Sequence, residues 1–97
     1  MHTPLSAETP LAVRHEPEHT RFVVALPDGE AELVYAPFSD DIINLQHTEV
    51  PASAQHHGVG DLLVRAALEY ARSERLKVIA TCPYVQAWLR RHPDERP

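Results

Sequence analysis

The chain has 97 residues, enough for one small domain, and its composition (43% hydrophobic, 24% charged) is typical of a globular protein. Its net charge of −5 argues against nucleic-acid and anionic-membrane partners, which bind basic surfaces. A single cysteine excludes an intrachain disulfide, and no secretory signal or apolar run of ~20 residues is present, so we expect a cytoplasmic protein.

The first half of the chain predicts strands joined by tight turns. Residues 1–11 are expected to form a flexible tail and residues 12–95 a single domain, in which residues 11–16 add a short edge strand. Residues 20–26 are β-branched and aromatic, which predicts a strand, and Pro27-Asp28-Gly29 predicts a turn. Residues 30–36 alternate as the second arm of a hairpin, with Ala31, Leu33 and Tyr35 on one face. A further turn is expected at residues 37–41.

The second half predicts one strand–helix–strand unit and a final helix. Residues 42–50 are the third confident strand and 51–55 a loop. A helix runs from Gly58 or Gly60 to about residue 75, because apolar residues recur there at the spacing of one buried face. A short strand at 76–82 and a helix at 84–92 complete the order β-β-β-α-β-α. The fold class is therefore α+β, and the right-handed crossover makes strands 42–50 and 77–82 parallel.

A glycine turn stands at the start of the longer helix, in the sequence Gln55-His56-His57-Gly58-Val59-Gly60. Glycines let backbone N–H groups converge, and a helix start adds further free N–H groups, so the turn can hold a diphosphate without lysine or arginine. It matches neither a P-loop nor a dinucleotide-binding fingerprint. The alternative is a tight turn without a ligand.

Several motifs occur together in a familiar order. They are His47-Thr48-Glu49-Val50-Pro51, Gly58-Val59-Gly60, Leu63-Val64-x-Ala66-Ala67-Leu68-x-Tyr70-Ala71, Leu76-Lys77-Val78-Ile79, Cys82-Pro83-Tyr84-Val85 and Arg91-His92-Pro93. Over residues 15–95 the chain resembles the very small, single-domain branch of the GCN5-related N-acetyltransferase (GNAT) superfamily. The resemblance implies a GNAT-like fold with a mixed central sheet, in which strands 42–50 and 77–82 splay apart around the pantetheine arm of acetyl-CoA.

The resemblance also implies a coenzyme site. The expected contacts to acetyl-CoA, the co-substrate, are Val50, Gln55, His56, His57, Gly58, Val59, Gly60 and Asp61. His56 departs from the branch, which often has a glycine there, and His57 stands where a basic residue is usual. Neutral histidines would attract phosphate more weakly, although His57 can still donate a hydrogen bond.

Four residues are candidates for the chemistry. Cys82 matches a cysteine of this branch that has been suggested to accept the acetyl group. It lies at a strand end, where N–H groups favour a thiolate. The alternatives are that it only lines the pocket or is a small buried hydrophobe. Glu49 and His47, which share a strand face, are candidate bases for the amine, or structural residues of a solvated edge. Tyr84 is a candidate proton donor to the departing thiolate, or a packing residue.

The function expected is transfer of an acetyl group from acetyl-CoA to an unidentified amine or protein acceptor. The chain lacks the N-terminal helices with which larger acetyltransferases build an acceptor pocket, so a non-catalytic CoA-binding module acting in a complex is the alternative. No metal site is expected, because the adjacent histidines 56 and 57 lack zinc spacing and no second ligand cluster stands near them. A homodimer is left open.

Overall fold

Alternating apolar residues in the first half of the chain form an antiparallel meander of four strands. A computed structural model describes residues 11–97. Its strands are β1 (Val13–Glu16), β2 (Arg21–Leu26), β3 (Gly29–Ser39) and β4 (Ile42–Glu49). They are followed by helix α1 (Val59–Ser73), strand β5 (Lys77–Ala80) and helix α2 (Pro83–Arg91).

The sheet has the order β1-β2-β3-β4-β5, with β5 parallel to β4 and all other pairs antiparallel. This confirms the predicted α+β fold with a mixed sheet and a parallel crossover, and the short edge strand proposed for residues 11–16 is β1. The predicted tail at residues 1–11 lies, except for Leu11, outside the described residues. Leu11 itself packs partly buried against the core.

The two helices supply apolar residues to one core. Ala67 and Ala71 of α1 and Trp88 of α2 are buried in the same cluster as Leu33 and Leu45 of the sheet. The helical spacing therefore identified the buried face of α1 correctly, and Val64 and Leu68 extend that face. The inward side chains expected for the last helix, Val85, Trp88 and Leu89, are also buried.

Strand β3 is longer than the sequence indicated. The turn expected at residues 37–41 is wrong for its first part, since β3 continues through Pro37 to Ser39 and only Asp40 and Asp41 form the turn. Proline removes a ladder hydrogen bond, but sheets tolerate it at irregularities. The register between β3 and β4 shifts between Pro37 and Ser39, which provides such an irregularity.

The opposite face of the sheet carries ion pairs. Arg21 donates from Nε to Glu16 at 2.7 Å and from Nη1 to Glu32 at 2.8 Å. Val23 on this face is fully buried, although its partners in the neighbouring strands are Arg14 on one side and Glu32 on the other. This charged surface is called the outer face below.

Candidate functional site

Strand β4 contains a bulge just before its polar end. Leu45 and His47 pair with consecutive residues of β3, so Gln46 between them has no partner. Simple alternation from the buried Leu45 would turn His47 and Glu49 toward the core, but a bulge reverses the faces that follow it. Thr48 therefore lies on the inner, helix-bearing face, and its two neighbours lie on the outer face.

Strands β4 and β5 separate beyond Leu45. Their ladder ends with the pair Leu45–Ala80, and the Leu45 carbonyl accepts hydrogen bonds from the N–H groups of Thr81 and Cys82 at 3.1 and 3.2 Å. Strand β4 then runs on to Glu49, while the chain after Ala80 turns into α2. The predicted splay between the two parallel strands is thus present.

The loop after β4 brings the chain back to the start of α1. The side-chain amide of Gln55 donates to the Val50 carbonyl at 3.2 Å, which ties the loop to the end of the strand. Gly58, with φ of 78°, is the N-cap of α1, and His56 has φ of 70°. Left-handed backbone is natural for glycine and uncommon for a residue with a side chain.

The N-terminus of α1 has no side-chain cap. The first helical hydrogen bond runs from the Leu62 N–H to the Gly58 carbonyl at 3.1 Å. The N–H groups of Val59, Gly60 and Asp61 belong to the first turn and have no helical partner. They therefore leave a partial positive charge that favours an anion.

A cavity of about 410 Å³ opens in front of this helix end. Its size falls within the range of ~300–1,000 Å³ that is usual for small-molecule sites. It is bounded by the polar end of β4, the following loop, the first turn of α1 and the start of α2. The lining residues are Thr48, Val50, Ala54, Gln55, His56, Gly58, Val59, Gly60, Asp61 and Tyr84.

This lining includes all the expected coenzyme contacts except His57, which is exposed and lies outside it. Tyr84, expected as a proton donor, also lines the cavity. Thr48 and Ala54 line it without having been identified from the sequence. The polar run around Thr48 pointed to this strand end, but only the bulge reveals which of its side chains turns inward.

Tyr84 lies against the backbone of Gly60. A Cβ atom built on Gly60 would stand 2.5 Å from the Tyr84 hydroxyl oxygen. Burial, with a contribution from the Asp61 carboxylate, raises the pKa of Tyr84 above its ordinary value of 10. The phenol therefore stays protonated at neutral pH and can donate a hydrogen bond into the cavity.

Asp61 joins the two helices. Its Oδ1 accepts a hydrogen bond from Trp88 Nε1 at 2.8 Å, and its Oδ2 accepts one from Arg65 Nε at 2.9 Å. Burial acts to raise the pKa of Asp61, but the Trp88 and Arg65 hydrogen bonds outweigh it and the pKa is lowered. Arg65 also lies 5.1 Å over the Trp88 ring. The carboxylate at the cavity edge is thus ionised and partly neutralised.

Cys82 lies behind Thr48. Its thiol donates to Thr48 Oγ1 at 3.5 Å, and the residue is 4% exposed and is not part of the cavity lining. It is the N-cap of α2, with Pro83 at the first helical position. The sulfur therefore sits in the wall of the site, one side chain removed from the open space.

His47 and Glu49 share a face, as predicted, with His47 Nε2 and Glu49 Oε2 3.3 Å apart. Their side chains are 59% and 70% exposed and lie on the outer face, outside the cavity lining. They adjoin the gap between the parallel strands without facing Tyr84 or the start of α1.

One group of possible metal ligands is present among the described residues. Glu16, Glu18 and His19 place one ligand atom each within 4.8 Å of one another. Glu16 already accepts hydrogen bonds from Arg14 and Arg21, at 2.8 and 2.7 Å, and the other two residues are exposed. The group lies away from the cavity, and its Glu16 carboxylate is already held by two arginines.

Comparison with known proteins accounts for this arrangement. The family model described as "GCN5-related N-acetyl-transferase" matches residues 21–96. The chain belongs to the GCN5-related N-acetyltransferases. The chain is 35% identical over 86 residues to Protein NATD1 from Gallus gallus and to Protein NATD1 from Homo sapiens. The matched region covers 87% of this chain, 78% of the Gallus gallus protein and 76% of the Homo sapiens protein.

Solved structures agree with the family assignment. The NMR solution structure of a GCN5-like protein from Staphylococcus aureus superposes with a TM-score of 0.72 at 28% identity, covering 88% of this chain and 83% of that one. Ard1 from Thermoplasma volcanium gives a TM-score of 0.57 at 19% identity over 63% of this chain and 43% of its own, a likeness of fold alone. Within residues 11–97, no helix is long and apolar enough to cross a membrane.

Proposed function

We propose that this GNAT-family protein is an N-acetyltransferase that uses acetyl-CoA. The observation that carries the proposal is the cavity in front of the uncapped N-terminus of α1, beside the separation of β4 and β5. A diphosphate placed there meets the free N–H groups of Val59, Gly60 and Asp61 and the positive end of the helix dipole. The family assignment indicates which diphosphate-bearing ligand to expect.

The pantetheine arm would extend from that helix end toward the gap beyond Leu45. Unpaired backbone of β4 is available there, because β5 has already turned away. Thr48 and Val50 line this part of the cavity, together with Tyr84 on the opposite side. The coenzyme's thioester would then lie between the end of β4 and the start of α2.

Acetyl-CoA supplies an activated acetyl thioester, and an amine nitrogen attacks its carbonyl carbon while the CoA thiolate leaves. Tyr84 is the residue we assign to the leaving group, because its protonated hydroxyl lines the cavity. Glu49 or His47 would take the proton of the amine, directly or through water, from the outer face. That face is open and charged at the gap, which suits an amine carried on a large acceptor.

Cys82 offers a second route, in which its sulfur accepts the acetyl group and CoA leaves before the amine attacks. The position of the thiol behind Thr48 favours direct transfer, because the sulfur would have to reach past a hydrogen-bonded side chain. Intact mass after incubation with acetyl-CoA separates the routes. Direct transfer predicts an unmodified protein, and an acetyl group present on wild type but absent from Cys82→Ala would establish the covalent route.

A CoA-binding module without turnover is the second candidate function. It is favoured by one observation, that both candidate bases lie outside the cavity lining. Binding and turnover are therefore tested separately. Calorimetry with acetyl-CoA should show one site, and ligand at 100 times Kd should add about 2.7 kcal/mol to the free energy of unfolding.

Release of the CoA thiol in the presence of amines, including lysine peptides, then tests catalysis. The proposal predicts amine-dependent release that Tyr84→Phe slows with little change in Kd. Binding without release for any amine would support the module, and no binding at millimolar acetyl-CoA would contradict both candidates.

A further inference from the structure

One side chain in the cavity lining can become a cation. Of the ten lining residues, none is lysine or arginine, Asp61 is anionic, and Tyr84 is a neutral phenol. His56 is the remaining titratable group. A site for a diphosphate thus has, among the described lining residues, one basic side chain, and its charge depends on pH.

The backbone holds His56 in the left-handed region, with φ of 70°, between Gln55 and the glycine that caps α1. Residues other than glycine populate this region sparsely, although histidine, like asparagine and aspartate, is among those found there most often. Gln55 anchors the loop through its hydrogen bond to the Val50 carbonyl. His56 is an exposed residue that lines the cavity from a loop tied to the end of β4.

The elements around His56 bring few other charges. Strand β4 contributes Thr48 and Val50, which are uncharged. Helix α2 contributes the Tyr84 phenol and, outside the lining, Arg91, whose positive charge acts on that phenol. Helix α1 contributes the Asp61 carboxylate, which is held by Arg65 and Trp88. The adjacent His57 is exposed and outside the lining. No neighbouring group in the lining therefore supplies the positive charge that His56 gains on protonation.

We infer that protonation of His56 strengthens the binding of the diphosphate of CoA, so that affinity rises as pH falls from 8 to 6. This inference rests on the proposed function, because it concerns the same cavity. Histidine changes charge between pH ~5 and ~8, and an imidazolium forms a stronger, charge-assisted hydrogen bond to phosphate than a neutral ring. A coupling of roughly tenfold between protonation and binding sets the upper limit on the fall in Kd.

The test is calorimetric titration of the full chain with CoA at pH 6, 7 and 8, with the fold checked by circular dichroism at each pH. His56→Asn removes the titratable group and keeps a residue that tolerates positive φ. His19→Asn is the control, since it makes the same change at an exposed histidine that follows β1 and lies outside the lining. Inorganic pyrophosphate as a second probe shows whether the diphosphate alone carries the effect.

The expected result is a severalfold fall in Kd from pH 8 to pH 6 for wild type and His19→Asn, and a clearly smaller fall for His56→Asn. The phosphates of CoA also titrate, so the comparison between variants at each pH isolates the protein's part. Equal pH dependence in wild type and His56→Asn would overturn the inference while leaving CoA binding intact. Absence of CoA binding at every pH would instead overturn the proposed function.

Discussion

The hydroxyl of Tyr84 occupies the space that a side chain at position 60 would need, since a Cβ on Gly60 would lie 2.5 Å from the hydroxyl oxygen. Glycine at this helical position therefore does more than leave the backbone N–H groups accessible. It allows the first turn of α1 and the first turn of α2 to approach closely, and this approach sets where the phenol faces the cavity.

Gly60→Ala should displace the Tyr84 hydroxyl without removing it. We expect turnover to fall by roughly tenfold or more, because a misplaced proton donor loses much of the ~10²–10⁴-fold that acid–base catalysis contributes. The Cβ would also stand 2.8 Å from Tyr84 Cζ, so the whole ring must shift. Because Tyr84 is 40% exposed and can move, we expect this cost to be offset by the ~1 kcal/mol by which alanine exceeds glycine in helix propensity, and stability to change little. Steady-state kinetics and urea unfolding measure the two effects.

A double-mutant cycle provides the control. In a Tyr84→Phe background the hydroxyl is gone, so Gly60→Ala should reduce turnover much less than it does in wild type. Additive losses in the double variant would contradict the assignment of the Gly60 effect to the phenol.

Thr48→Ala should expose Cys82 to the cavity. The Thr48 side chain now stands between the thiol and the open space and accepts its hydrogen bond at 3.5 Å. We expect faster labelling by a small maleimide than in wild type, and protection by saturating CoA. Thr48→Val, which keeps the bulk and removes the hydroxyl, should label close to the wild-type rate. Equal labelling of wild type and Thr48→Ala would show that the thiol is already open.

His15 should make stability depend on pH. Its ring stacks on Phe22 with centroids 4.3 Å apart, and its Nε2 lies 2.7 Å from the hydroxyl oxygen of Tyr35. Burial lowers the pKa of His15 below 6.5, although Glu18 acts in the opposite direction. As pH falls, His15 therefore takes up its proton in the unfolded state first. The stability that depends on the neutral ring is complete above the pKa of the unfolded state and is lost as pH drops below it.

Urea unfolding at pH 8, 7, 6 and 5 measures this dependence. His15→Phe should flatten the curve relative to wild type, because the titrating ring is replaced by one that can still stack. His19→Asn, at an exposed position, serves as control and should leave the slope unchanged. If the unfolding free energy of His15→Phe depends on pH as steeply as that of wild type, a group other than His15 causes the pH dependence.

Trp88→Phe should weaken the junction between the helices. It removes the 2.8 Å hydrogen bond to Asp61 and part of a ring that is 1% exposed. We expect a loss of about 2 kcal/mol of unfolding free energy, from the missing volume and the lost charged hydrogen bond. CoA should also bind more weakly, because Asp61 belongs to the first turn of α1.

The companion variant is Asp61→Asn, which keeps the shape and removes the charge. The two substitutions should be non-additive in urea unfolding, as expected for residues in direct contact. Fully additive losses would mean that the negative charge of Asp61 does not strengthen its hydrogen bond with Trp88.

Much of this arrangement follows from local sequence. The apolar spacing around Leu63 and Ala67 predicted the helix, and the glycines at 58 and 60 marked the loop that lines the cavity. The bulge at Gln46 could not be read from the sequence, because it depends on how β4 pairs with β3. If the bulge is left out, strict alternation from Leu45 assigns His47, Thr48 and Glu49 to the wrong faces of the sheet.

Strand β3 shows the same limit. Pro37 lies beside a polar, acidic segment that resembles a turn, yet pairing with β4 carries the strand to Ser39. The inward position of Thr48 and the screening of Cys82 are likewise consequences of tertiary pairing. Local residue preferences identify which segments meet at the site, and the register of the sheet decides which side chains face it.

The central claim is that the cavity at the start of α1 binds the diphosphate of CoA through backbone N–H groups. Titration of ¹⁵N-labelled protein with CoA, followed by amide chemical shifts, tests it most directly. We expect the largest changes at Gly58, Val59, Gly60 and Asp61, with smaller ones at Thr48 and Tyr84. Unchanged spectra at millimolar CoA, or changes confined to the separate hollow lined by Arg90 and Arg96, would contradict it.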